Sequence, residues 1–149
     1  MGLDSSTLNA LERAPKIMSR YGIDTSVFVR LLTGDPQKEF DLTVAALGKI
    51  LKENSAAEIE VSNMVIAEAY FVLQHHYGVS KEEAKSALVS VMSSGLVKPQ
   101  CGNSVLEALT AKQEPGLLDR LIAADYSMNE RVTLTHDRKM GRLTKVRIL

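Results

Sequence analysis

Short runs rich in β-branched residues alternate along this chain with longer segments whose apolar residues recur at helical spacing. The spacing predicts strands over residues 19–23, 58–61, 96–97, 132–135 and 146–149. Between them it predicts helices. The first runs over 25–33 and is stopped by Gly34 and Pro36. The second is opened by Pro36 and reaches about Asn54, with Phe40, Val44, Leu47, Ile50 and Leu51 on one face. Ser62 is placed to cap a third, which ends near Gly78, and Ser80-Lys-Glu-Glu83 has the form of a capping box for a fourth reaching about Ser94. Two more fit residues 104–113 and 115–129. Strand–helix alternation of this kind predicts an α/β fold: a mostly parallel central sheet of four or five strands, flanked by helices on both faces, with right-handed crossovers.

With 149 residues, 45% of them hydrophobic, the chain is long enough for one domain with a real core. No apolar run approaches the roughly 18 residues needed to span a bilayer. The first residues lack the basic start and apolar core of a secretory signal. Cys101 is the only cysteine, which excludes an internal disulfide and a cysteine-based metal site. A cytoplasmic protein is expected. Residues 1–17 fall outside the strand–helix rhythm and read as an N-terminal extension, an added helix begun at Ser6 or a non-native start. The domain itself is expected over residues 18–149.

Four acidic residues interrupt this apolar pattern. Asp24 lies between Tyr21-Gly-Ile23 and Val27-Phe-Val29. Glu68 is the only charge between Val61 and Leu73. Asp119 separates Leu117-Leu118 from Leu121-Ile-Ala-Ala124, and Asp137 follows the strand-like Val132-Thr-Leu-Thr135. Burying an unpaired carboxylate costs several kcal/mol or forces it to take up a proton, so such groups normally have partners. In open α/β sheets ligands bind beyond the carboxyl ends of the strands. Asp24 and Asp137 directly follow strands, and Glu68 and Asp119 lie in the early turns of helices. A set of oxygen ligands without sulfur or nitrogen suits Mg²⁺ or Mn²⁺ rather than zinc.

Charge is unevenly spread although the formal net charge is zero. Residues 131–149 carry six basic side chains against Asp137 alone, whereas the rest has 12 basic and 17 acidic. A basic tail of this kind meets phosphate backbones or an acidic partner when it lies beside the acids, with Arg138 and Lys139 the nearest candidates. Other conspicuous residues have plainer readings. His75 and His76 are adjacent and so point to different helix faces, unlike a metal pair at i and i+4. Cys101 has no base near it in sequence, and Asp125 is turned away from Asp119 by the helical repeat.

The successive segments Ile23-Asp-Thr-Ser-Val-Phe-Val-Arg-Leu-Leu32, Ala67-Glu68, Leu118-Asp119-Arg-Leu-Ile-Ala123 and Thr133-Leu-Thr-His-Asp137 resemble the motifs of PIN domains. The likeness is greatest to the VapC-type toxin ribonucleases of type II toxin–antitoxin pairs, and it covers about residues 19–149. It implies a PIN-like fold and a Mg²⁺- or Mn²⁺-dependent endoribonuclease cutting RNA with metal-activated water. It also implies a VapB-like antitoxin partner and a homodimer. By position, Asp24, Glu68, Asp119 and Asp137 become the metal-binding, catalytic acids, with Ser26 and Thr135 as small polar residues supporting them. His136 stands where the family often has an apolar residue.

Three other functions compete. A phosphate-ester hydrolase with an aspartyl intermediate would carry a second Asp two residues after the nucleophile, where this chain has Ser26. A receiver-like signalling domain would need a phosphoacceptor after a middle strand and a lysine after a late one. The third is a PIN-like module that binds RNA or a partner without cutting.

Overall fold

The computed structural model describes Asp4, Ser5 and residues 19–149; the rest of the extension expected at residues 1–17 lies outside them. The first strand, β1 (Arg20–Ile23), alternates in exposure along its length and leads directly into α1 (Thr25–Thr33). Gly34 stops that helix in the left-handed region at φ 64°, its N–H bonded to the Arg30 carbonyl at 3.0 Å, a conformation that glycine adopts without a Cβ clash. The second helix, α2 (Gln37–Glu53), returns the chain to β2 (Glu58–Val61). β2 pairs in parallel with β1, in a register that sets Arg20 beside Glu58 and Ile23 beside Val61.

The register sorts the side chains into two faces. Ile59 and Val61 point with Tyr21 and Ile23 into the core. Glu58 and Glu60 stand on the other face with Arg20. There Arg20 grips Glu60 through Nε at 2.7 Å and Nη2 at 3.1 Å, and Lys98 meets Glu58 at 2.7 Å. Forked guanidinium–carboxylate pairing satisfies Glu60, which is otherwise almost wholly buried.

Ser62 caps α3 (Asn63–His75), its hydroxyl accepting from the Val65 N–H at 3.2 Å. The capping box expected at Ser80 is present: Ser80 and Glu83 each accept the other's backbone N–H, and α4 (Lys81–Met92) follows. The third strand, β3 (Lys98–Pro99), extends the sheet in the order β1-β2-β3. It lies two residues later than the expected 96–97, because the Ser94 hydroxyl accepts the Leu96 N–H and prolongs the turn past Gly95. Val97 is instead buried in the core. Two helices follow, α5 (Asn103–Thr110) and α6 (Leu117–Met128). The end of α5 comes before the expected Gln113, where the Thr110 hydroxyl donates to the Leu106 carbonyl.

The last two strands, β4 (Thr133–Thr135) and β5 (Val146–Ile148), pair in parallel with each other around a single 3₁₀ turn, Met140–Arg142. The fold is thus parallel α/β as expected. Its five described strands, however, hydrogen-bond as a three-stranded and a two-stranded sheet rather than as one. Only ten residues separate β4 from β5, so the local partner is closed at small entropic cost.

Packing radiates from α3. It lies against α1, α4 and α6, and α5 packs on α6. Phe28 of α1, Ile66 of α3, Leu88 of α4 and Val105 of α5 are fully buried in one cluster with Ile59 and Val61. Among the described residues no helix is long and apolar enough to cross a membrane. Truncating Phe28, the largest side chain with no exposed surface, removes contacts to several elements at once. Phe28→Ala is expected to lower unfolding free energy by about 3–5 kcal/mol, measured by urea denaturation; a loss under 1 kcal/mol would show that this core is not built around it.

Candidate functional site

Asp24 occupies the N-cap of α1, between the carboxyl end of β1 and the first helical turn. Its Oδ1 accepts from the Ser26 hydroxyl at 2.6 Å and from the Val27 N–H at 3.1 Å. These two donors, Ser26 foremost, hold its carboxyl below the usual aspartate range. Asp24 is therefore an exposed, ionised oxygen donor whose orientation is set by its own helix. Its second carboxylate oxygen makes no hydrogen bond among the described residues.

Asp137 is built in a similar local way at the end of β4. Its backbone N–H donates to the Thr135 hydroxyl at 2.9 Å, and its Oδ1 accepts the Lys139 N–H at 2.8 Å. Of the two supporting positions that the resemblance implies, Ser26 thus bonds the Asp24 carboxylate itself, whereas Thr135 bonds only the backbone N–H of Asp137. Arg138 and Lys139 follow, both exposed.

Glu68 is exposed on α3, one turn on from Met64 and one turn before Phe71, which are also exposed. Asp119 is half-buried in the first turn of α6, where the helix N-terminus favours its negative charge. Neither carboxylate has a hydrogen-bond or ion-pair partner among the described residues. The basic residues nearest in sequence are occupied elsewhere. Arg30 donates to the Asp35 carbonyl, and Arg120 donates to the carbonyls of Pro115 at 2.8 Å and Gln113 at 3.0 Å. The three ion pairs among the described residues are Arg20–Glu60, Lys49–Glu53 and Lys98–Glu58, so none of the four acids is neutralised by a salt bridge to a described residue.

One contact escaped the sequence reading. Asn63, on the first turn of α3, is 3% exposed, and its Nδ2 donates to the Leu121 carbonyl at 2.8 Å. It ties the start of the helix bearing Glu68 to the helix bearing Asp119. Ser62-Asn63 reads as a helix start, and nothing in the sequence points to a partner 58 residues away. Its Oδ1 and the Thr133 hydroxyl are buried without a partner among the described residues.

The oxygen-only donor set fits a hard divalent cation, and the Asp24 carboxyl is held below the usual aspartate range. Among the described residues, however, no three His, Cys, Asp or Glu side chains come together as a ready-made cage. Mg²⁺ tolerates this, since it retains several waters and is commonly held by one or two carboxylates together with substrate phosphates. The plainer readings of other residues hold up. His75 stacks on Phe71 with ring centres 4.3 Å apart, while His76 sits edge-on to Tyr77. Cys101 touches Asp125 and Met128, and burial first, then Asp125, pushes its thiol up to about 11, so it stays protonated and unreactive at neutral pH.

A fold of parallel strands capped by helices, with acids at strand ends and helix starts, is the framework of an α/β nuclease. The PIN domain family model matches residues 21–146, and the chain belongs to that family. PIN domains are generally nucleases, acting on nucleic acid and generally using divalent metals. No curated protein and no solved structure matched the chain. Membership sets aside the aspartyl-phosphate hydrolase and receiver alternatives.

Removing the Ser26 hydroxyl takes away the leading cause of the lowered Asp24 carboxyl. In a carbon-detected NMR titration, Ser26→Ala is expected to raise the Asp24 midpoint toward the ordinary aspartate value. The sign for stability follows: a depressed folded-state pKa gives stabilisation that is present above the unfolded value and lost as pH falls through the folded one. An unchanged midpoint in the variant would show that the hydroxyl does not hold the charge.

Proposed function

We propose that this protein is a Mg²⁺- or Mn²⁺-dependent endoribonuclease, the toxin of a type II toxin–antitoxin pair, with Asp24, Glu68, Asp119 and Asp137 as its metal-binding and catalytic acids. The observation that carries this reading is that, among the described residues, none of the four acids has a basic partner, every Arg–carboxylate and Lys–carboxylate pair lying elsewhere. Asp24, Glu68 and Asp137 are exposed and Asp119 is half-buried, so burial demands no counter-ion. What supports the reading is that their oxygens stay uncommitted to any basic side chain among the described residues, and so open to a hydrated cation that arrives with the substrate.

A bound divalent ion would supply a lowered pKa for attacking water and neutralise charge on the leaving oxygen. The chain's own residues set the conditions. Ser26 and the Val27 N–H keep Asp24 ionised and aimed; the Lys139 N–H orients the Asp137 carboxylate, and Thr135 fixes the backbone that carries it. Glu68 and Asp119, with no competing partner, add negative oxygens from α3 and α6. Arg138 and Lys139 attract the phosphate backbone of RNA beside Asp137. Exposed Leu118, Ile122 and Tyr126, at i, i+4 and i+8 on α6, give an apolar stripe that supports a homodimer or a VapB-like antitoxin as partner. A cytoplasmic location goes with that role.

A non-cutting RNA- or partner-binding module is the second reading, favoured by the lack of any three-ligand cluster among the described residues. Cleavage decides between them. Purified protein is expected to degrade single-stranded RNA with Mn²⁺ or Mg²⁺ and to stop on addition of EDTA, with Asp24→Asn lowering the rate at least a hundredfold, or about 2.7 kcal/mol of barrier. Equal activity in the variant would assign the signal to a contaminant; no activity in either would leave the binding module. Separately, neutralising Arg138 and Lys139 together is expected to weaken RNA binding and flatten its salt dependence by about 1.4 in log–log slope, on the basis of roughly 0.7 per phosphate contact. Unchanged RNA affinity would remove those two residues from the interface.

A further inference from the structure

One groove on the surface of α6 takes no part in holding the four acids. It has a volume of about 340 Å³, lies between α5, α6 and the segment after the 3₁₀ turn, and is lined by Arg120, Arg142, Ser104, Ser127, Thr144 and Glu107. Arg120 is fixed in place: its Nε and Nη2 donate to the carbonyls of Pro115 and Gln113, and its charge is paired with no carboxylate. Arg142 is exposed and has neither a hydrogen-bond nor an ion-pair partner among the described residues. Glu107 shares the groove without forming a salt bridge to either arginine.

Two guanidiniums and the hydroxyls of Ser127 and Thr144 around one open groove form a donor set suited to phosphate oxygens, the Ser104 hydroxyl being already donated to the Cys101 carbonyl at 2.9 Å. A preorganised arginine loses less conformational freedom on binding than a free one, which favours Arg120 as the anchor. The groove's place in the chain also matters. Arg120 directly follows Asp119, and Arg142 lies at the end of the turn that begins from Asp137, whose carbonyl accepts the Gly141 N–H at 3.2 Å. The same two segments that carry candidate catalytic acids therefore also carry the groove's two cations.

We propose that this groove is a second contact for the substrate strand, in which Arg120 and Arg142 hold an RNA phosphate other than the one being cleaved. This rests on the ribonuclease reading above. Arg120 and Arg142 act as positioning residues: they touch the strand and not the reacting phosphate. Glu107 repels the strand and limits its affinity.

The test separates the groove from the chemistry. Fluorescently labelled single-stranded RNA is titrated with full-length protein in EDTA at several salt concentrations, and cleavage is then measured with Mn²⁺. Arg142→Ala is expected to weaken RNA binding severalfold and to lower the salt slope by about 0.7, the value for one single-strand phosphate contact. Arg142→Lys should restore part of the affinity, and Glu107→Gln should tighten binding. In cleavage, Arg142→Ala should raise KM with kcat little changed, the pattern of lost strand binding. The proposal is overturned if the wild-type protein binds no RNA in EDTA, if neither Arg142→Ala nor Glu107→Gln changes affinity, or if Arg142→Ala lowers kcat at constant KM. Failure of cleavage with intact, Arg142-dependent RNA binding would instead overturn the ribonuclease reading and leave the groove standing.

Discussion

The parallel register of β1 on β2 is the constraint on which the rest of the molecule depends. Setting Ile23 beside Val61 aligns the carboxyl ends of the two strands, so that Asp24 and Ser62 both become helix caps at the same rim. The same register puts Ile59 and Val61 against Phe28 and Ile66 and turns Glu58 and Glu60 toward Arg20 and Lys98. Shifting it by one residue would exchange the two faces, burying two glutamates and exposing the core.

From that rim the architecture treats its acids in two ways. Asp24 and Asp137 are local constructions, each held by a hydroxyl and a backbone N–H within three residues. Their geometry survives wherever their strand–turn segment folds. Glu68 and Asp119 are placed by tertiary packing alone, through the contact of α3 with α6 and the hydrogen bond from Asn63 to Leu121. The four acids thus comprise two held locally and two whose separation follows the fit between helices. The absence of a three-ligand cluster among the described residues is in keeping with that division.

Charge is organised to match. Glutamates on the outer face of the three-stranded sheet are paired with Arg20 and Lys98, while the candidate catalytic acids have no ion-pair partner among the described residues and the arginines beside them are held on carbonyl oxygens. Arginine bound to a neutral carbonyl keeps its full charge for an anion. That distribution leaves these carboxylates and guanidiniums uncommitted to one another among the described residues.

Much of this was legible in the sequence because its causes are local. Helix caps at Ser62 and Ser80, the stop at Gly34 and the strand at 58–61 follow from residues within a few positions of one another, and the four acids stood out against apolar neighbours. Ser26 and Thr135 were named only through the family resemblance, although the contacts they make are with residues two positions away. What only the tertiary structure decided involves distant partners: the two-residue displacement of β3, the division of the strands into two sheets, the Asn63–Leu121 bond and the arginine groove on α6. Hydrogen-bond capacity and side-chain reach are encoded residue by residue, but which of them meet is settled by packing and register across the whole chain.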